Sequence, residues 1–197
     1  MLGRFLLTIF YVDDIMEKIG GGVVANLPGQ EYIDIGCWLK NKYLYHIKAS
    51  HRRIKNLQVL RGQVWYCDFG YNIGAEKNKK RPVLVISNNK INTSEKVVVL
   101  PITDSKNKLN RNHLPAQDSW YLLYSNTQDP NNMTHPQRII PNNNTPYAFL
   151  TKDSLIQCEE IRCVSKARLD EVQGCIGSLS MPDMNNIENK IRKVFCL

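Results

Sequence analysis

A polar loop over residues 70–80 runs directly into Arg81-Pro82 and the apolar run Val83-Leu84-Val85-Ile86, and this junction gathers groups able to handle phosphate. The Arg81 guanidinium is planar, permanently charged and forked, which suits two non-bridging phosphate oxygens held at once. Lys77, Lys79 and Lys80 stand just before it as candidate phosphate contacts, although exposed loop lysines are equally explained by solvation. Trp65, Phe69 and Tyr71 flank the loop. An aromatic ring so placed could stack on a splayed base for about 1–3 kcal/mol, while core packing explains Trp65 as well.

Other chemistries are less well provided for. The six cysteines (37, 67, 158, 163, 175, 196) lack zinc-ribbon spacing, so reduced thiols and no metal are expected. A histidine pair could drive acid–base cleavage, but His46 and His51 fall in a basic stretch and His113 and His135 in an Asn/Pro-rich one. The net charge of +8 favours a polyanionic partner without separating RNA from DNA or acidic lipid. Much of that excess lies in Lys40, Lys42, Lys48, Arg52, Arg53, Lys55 and Arg61, because no acidic residue occurs between Asp34 and Asp68. Such a stretch could serve as a nucleic-acid arm or simply as a solvated helix face.

With 197 residues, 43% of them hydrophobic, the chain can bury one core plus appendages. Residues 4–19 have loosely helical spacing and end at Gly20-Gly21-Gly22. The apolar run over 5–12 imitates a signal peptide, but Asp13 and Asp14 close it early, so export is not expected. From Asp34 onward, Leu39, Tyr43, Ile47, Ile54 and Leu57 predict an apolar face on one helix ending near Leu57. Strands follow over 64–69, 83–86 and 97–100, each rich in β-branched or aromatic residues. Residues 104–146 read as an Asn/Pro-rich insertion carrying one short strand at 120–124. Strand signals return at 147–150, 154–158 and 161–164. A terminal helix is marked by Ser180 as N-cap, Pro182 in the first turn, and a Met184, Ile187, Ile191, Val194 stripe. Taken alone, this predicts a mainly β domain with flanking helices.

The run from Arg61-Gly62-Gln63-Val64-Trp65 to Phe69-Gly70, then Gly74-Ala75-Glu76 and Lys80-Arg81-Pro82, resembles the opening of PemK/MazF-type toxins. Val98-Val99-Leu100-Pro101-Ile102-Thr103 is similar to that family's third strand. Residues 154–169, with Ile161-Arg162 and Arg168-Leu169, resemble its Gln-Ile-Arg block, and Gly174 to Leu179 with the last helix resembles its ending. The likeness spans residues 61–197, so the chain divides into an N-terminal helical extension (1–58) and a toxin-like domain (59–197) with an insertion at about 104–146.

The resemblance implies an α+β fold: an SH3-like small barrel with a C-terminal helix, acting as a cytoplasmic homodimer that an antitoxin neutralises. It implies metal-independent, cofactor-free cleavage of single-stranded RNA by attack of the 2′-hydroxyl, leaving a 2′,3′-cyclic phosphate and a 5′-hydroxyl. Arg81 would stabilise the transition state and Thr103 would hydrogen-bond the scissile phosphate. Glu76 would assist acid–base chemistry, or else hold Arg81 as an ion pair. Arg162 would contact RNA. Glu160 stands where many relatives carry an RNA-touching glutamine, so the preferred sequence cannot be carried over. A rival reading is a non-catalytic barrel, either a binding module or a gyrase-poisoning toxin of the CcdB type.

Overall fold

The computed structural model describes residues 29–126 and 146–197. The helical spacing over 4–19, the middle of the insertion and His135 lie outside the described residues. Two helices, α1 (Gly29–Ala49) and α2 (Arg52–Lys55), precede β1 (Gln63–Asp68) and β2 (Lys80–Val85). After a 3-10 turn come β3 (Lys96–Asp104), β4 (Trp120–Leu123), β5 (Ser154–Gln157), β6 (Arg162–Ser165) and a second 3-10 turn (Lys166–Arg168). Strand β7 (Cys175–Ser178) and helix α3 (Met181–Phe195) complete the described chain.

All strand pairs are antiparallel, in the order β4-β5-β3-β2-β1-β7, with β6 also on β3. The long strand β3 carries β2 on one side, while β5 and β6 run along it as two pieces of one broken strand. Residues beyond β6 then cross to β1, where Cys67 bridges Leu169 and the Asp170 N–H donates to the Tyr66 carbonyl. That return curls the sheet into a small barrel.

Strand parity explains the two large cores. Trp65, Cys67, Val83, Val85, Val97, Val99, Val164 and Leu169 point into the barrel with Phe69. The alternate residues Val64, Leu84, Leu100 and Ile102 point outward and are covered by Met184 and Ile187 of α3 and by Tyr147 and Leu150. The α3 start is as expected: the Ser180 side chain caps the Asp183 N–H, with Pro at the first positions. Asp183 is itself buried and accepts hydrogen bonds from Tyr121 (2.5 Å), Tyr147 and Ser180 (2.9 Å).

Three expectations are corrected. The helix does not run unbroken to Leu57: α1 stops at Ala49, and α2 is a separate turn after Ser50-His51. Nor is its apolar stripe the packing face, since Leu39, Tyr43 and Ile47 are exposed, and of that set only Ile54 and Leu57 pack on the barrel. The face that docks carries Trp38, Tyr45 and Lys48. Tyr45 donates to Asp68 (2.8 Å), and Lys48 reaches the Leu169 carbonyl (3.2 Å) and Glu171 (3.5 Å). Residues 147–150 form a turn with a single bridge to Ser125 rather than a strand, because Tyr147 and Leu150 are both drawn into the outer core.

Candidate active site

The β2–β3 ladder ends at Val83–Pro101. Pro82 and Pro101 have no N–H to continue it, so the strands part there. Counting one alternation further, Arg81 lies two residues before Val83 and Thr103 two residues after Pro101. Both therefore share the barrel-interior face, at the mouth of the split. Thr103 is 8% exposed and pairs through its backbone with Leu155 on β5. Arg81 is half-buried, and its Nε donates to the Asn78 carbonyl at 2.8 Å. Among the described residues no carboxylate pairs with its guanidinium.

The loop that delivers Arg81 is held by its own hydrogen bonds. Phe69 N–H donates to Lys79 (3.1 Å), and Lys79 N–H donates to Gly70 (2.7 Å). Asn72 bridges the interior through its side-chain amide to the Phe69 and Lys77 carbonyls, while its N–H donates to Asn78 Oδ1 at 2.7 Å. Asn78 thus ties the loop to the Arg81 guanidinium, a role that sequence reading missed. Asparagine is a residue type suited to such local turns, which was the available signal.

The other candidates scatter around this centre. Glu76 is 56% exposed and faces Arg162 at 3.7 Å rather than Arg81, so it is neither sheltered nor the arginine's anchor. Trp65 and Phe69 are 5% and 2% exposed, built into the barrel core, with the Arg162 guanidinium over the Phe69 ring at 5.1 Å. The base-stacking expectation for these two is corrected: both rings belong to the barrel core, and where Phe69 borders the neighbouring hollow the Arg162 guanidinium lies over its ring. Tyr71 is half-buried in the loop. Lys77 is neutralised by Glu160 at 3.2 Å, leaving the other Glu160 oxygen buried without a hydrogen bond. Lys79 is largely exposed, with Asp34 of α1 at 3.9 Å. Lys80 alternates to the opposite face from Arg81 and pairs with Asp170 at 2.5 Å. Beside the loop, Phe69, Asn72, Arg162, Ser165 and Arg168 line an open hollow of about 450 Å³.

Residues just past Thr103 complete the cationic surround, and sequence reading had passed over them. The Asp104 carboxylate accepts from Lys152 at 2.5 Å and from the Lys106 N–H at 2.9 Å. Burial works against its ionisation, but these bonds and the nearby lysines hold the carboxyl below the usual range. Lys108 curls back, its ammonium donating to the Asp104 carbonyl at 2.6 Å. Burial pulls its pKa down, and the charges of Lys77, Arg81 and Lys152 add to that against the opposing pull of Asp104.

Helix α1 leans on the start of the loop. A Cβ on Gly70 would lie 2.3 Å from the Trp38 ring, and that ring also faces the Arg168 guanidinium at 5.0 Å. Among the described residues no group of three or more His, Cys, Asp or Glu side chains is placed to hold a metal, and no helix is long and apolar enough to cross a membrane.

Solved structures similar to this chain include a mycobacterial endoribonuclease in complex with its cognate antitoxin. It is 21% identical, with a TM-score of 0.46, over 71% of this chain and 96% of that one. MazF from Deinococcus radiodurans is 12% identical, with a TM-score of 0.48, over 72% and 99%. No curated protein matches in sequence. The family assignment rests instead on residues 60–195, which match as one unit and include the whole barrel, the loop ending in Arg81, Thr103 and α3. The chain therefore belongs to the PemK-like, MazF-like toxins of type II toxin-antitoxin systems.

Proposed function

We propose that this toxin is a sequence-selective, metal-independent endoribonuclease that cuts single-stranded RNA in the cytoplasm, works as a homodimer and is silenced by a cognate antitoxin. The observation that carries the reading is the shared face of Arg81 and Thr103 at the split between β2 and β3, with no carboxylate on the guanidinium among the described residues. A fixed fork of donors beside a hydroxyl suits the charge that grows on the phosphoryl oxygens when the neighbouring 2′-hydroxyl attacks. The O2′–P bond forms, the P–O5′ bond breaks, and the products are a 2′,3′-cyclic phosphate and a 5′-hydroxyl. Family membership supports both the toxin role and the antitoxin partner.

The test is cleavage of a long single-stranded RNA in excess EDTA, with the ends of the fragments mapped. Cyclic-phosphate ends, lost with Arg81→Ala in a folded protein, are the expected result. Activity abolished by EDTA would refute the metal-independent mechanism. An Arg81→Ala chain that stays fully toxic while cellular RNA remains intact would move the reading to a non-catalytic binder.

A further inference from the structure

Departure of the 5′-oxygen needs a proton, and Arg81 is a poor source because a guanidinium stays charged at any physiological pH. Glu76 is exposed and turned toward Arg162. His46 and His51 belong to the N-terminal helical region, and His113 sits in the loop beyond Asn110. Of the lysines around the site, Lys77 and Lys152 are paired with Glu160 and Asp104, whereas the Lys108 ammonium turns back to the carbonyl of Asp104, the residue next to Thr103.

Its position is built by the chain rather than left to a free side chain. The Asp104 carboxylate caps the Lys106 N–H, Asn107 takes the left-handed conformation (φ 61°), and the Lys108 N–H closes the turn on the Ser105 carbonyl at 3.0 Å. Its own carbonyl is fixed by the Ala116 N–H at 3.0 Å. The half-buried side chain folds back so that Nζ donates to the carbonyl of Asp104, the residue next to Thr103. The Asp104 carboxylate, the acidic group acting on it, is already engaged by Lys152.

We propose that Lys108 is a catalytic residue of this site, its ammonium giving a proton to the departing 5′-oxygen; this rests on the ribonuclease reading above. As O2′–P forms and P–O5′ breaks, the 2′-hydroxyl proton passes to solvent water and one Nζ–H proton passes to O5′. Solvent then reprotonates the amine, so charge and atoms balance over the cycle. The charges that act on the ammonium are those of Asp104 on β3, Lys77 in the loop, Arg81 on β2 and Lys152 before β5. Burial and the three cations lower the lysine's hold on its proton, which makes it a better acid than an exposed lysine.

The experiment uses the full chain and an RNA oligonucleotide containing its mapped cut site, made with either an ordinary linkage or sulfur in place of the 5′-bridging oxygen. A thiolate leaves without protonation, so the second substrate bypasses the acid. Lys108→Ala should cut the ordinary linkage about 10²–10⁴-fold more slowly than the unsubstituted chain, and the thio linkage within about tenfold of it. Arg81→Ala should stay slow on both. Lys108→Arg keeps the charge without an easily lost proton and should show the same selective rescue, which covers the case in which Lys108→Ala does not fold. Equal slowing on the two linkages, or no slowing on the ordinary one, would overturn the assignment. An unsubstituted chain that cuts neither RNA would instead sink the ribonuclease reading itself.

Discussion

Arg81 and Thr103 occupy one face of the sheet at the point where β2 and β3 separate, each a single alternation beyond the last ladder pair, Val83–Pro101. Their roles are separable by shape-conserving changes. Arg81→Ala is expected to lower the cleavage rate by about 10²–10³-fold, the usual cost of one preorganised oxyanion donor. Thr103→Val removes the hydroxyl while keeping the branched shape, and should slow cleavage while Thr103→Ser retains most of it. Neither change touches the inner core cluster, so stability should move by about 1 kcal/mol or less. A Thr103→Val variant as fast as the parent in single-turnover assays would remove the threonine from the chemistry.

The barrel and α3 were legible because their residues obey simple periods. Val64, Leu84 and Leu100 alternate with Trp65, Val83 and Val99, and Ser180 announces the helix that covers one side. The same parity puts Trp65 and Phe69 inside the barrel, and nearness to the loop in sequence was the misleading cue. The docked face of α1 was not legible, because Trp38, Tyr45 and Lys48 pack through a ring against a glycine, a phenol on a carboxylate and an ammonium on a carbonyl. Hydropathy spacing detects none of these. Lys108 was hidden for another reason: its place depends on the Asn107 turn and the Asp104 carbonyl, and the cations that act on it come from the distant residues 77, 81 and 152.

The Trp38–Gly70 contact should behave as a coupled pair. Gly70 sits at φ 81°, and an added methyl would meet the indole at 2.3 Å. Gly70→Ala is therefore expected to cost about 1–2 kcal/mol from backbone conformation, with the clash adding to it. Trp38→Ala makes room for the methyl, so the double variant should be less destabilised than the sum of the single ones. Strictly additive losses in urea unfolding would show that α1 does not rest on this glycine.

Asp183 joins the cap of α3 to two tyrosines of the outer core. Asp183→Ala leaves the buried hydroxyls of Tyr121 and Tyr147 without their acceptor and is expected to cost about 2–4 kcal/mol. Tyr121→Phe and Tyr147→Phe each take one donor from the carboxylate, and also remove the acceptor of Asn186 and of the Ser180 N–H respectively, so each should cost about 1–2 kcal/mol, less than loss of the carboxylate itself. Equilibrium denaturation of the three variants gives the order. A loss in Asp183→Ala no larger than in either phenylalanine variant would show that the carboxylate is not the hub.

Burial sorts the thiols and sets an alkaline limit on stability. Cys67 and Cys158 are fully enclosed, and burial is the main cause that pushes each up to about 12 from an ordinary value of 9.0. Cys37, Cys163, Cys175 and Cys196 are exposed. A disulfide reagent at pH 8 should therefore titrate four thiols quickly and reach the other two only on unfolding. Tyr147 is likewise pushed from 10.0 up to about 12 by burial and by its bond to Asp183. The folded chain keeps these protons where the unfolded chain releases them, so the unfolded state binds fewer protons above about pH 9 and stability falls as pH rises. The contribution is fully present below about 9 and is lost progressively toward about 12. Denaturation midpoints measured from about pH 8 to about pH 11 should decline over that window, and Cys67→Ala should flatten the early part of the slope. A midpoint that stays level across that range, or six thiols reacting at one rate, would mean that the inner and outer cores are open to solvent.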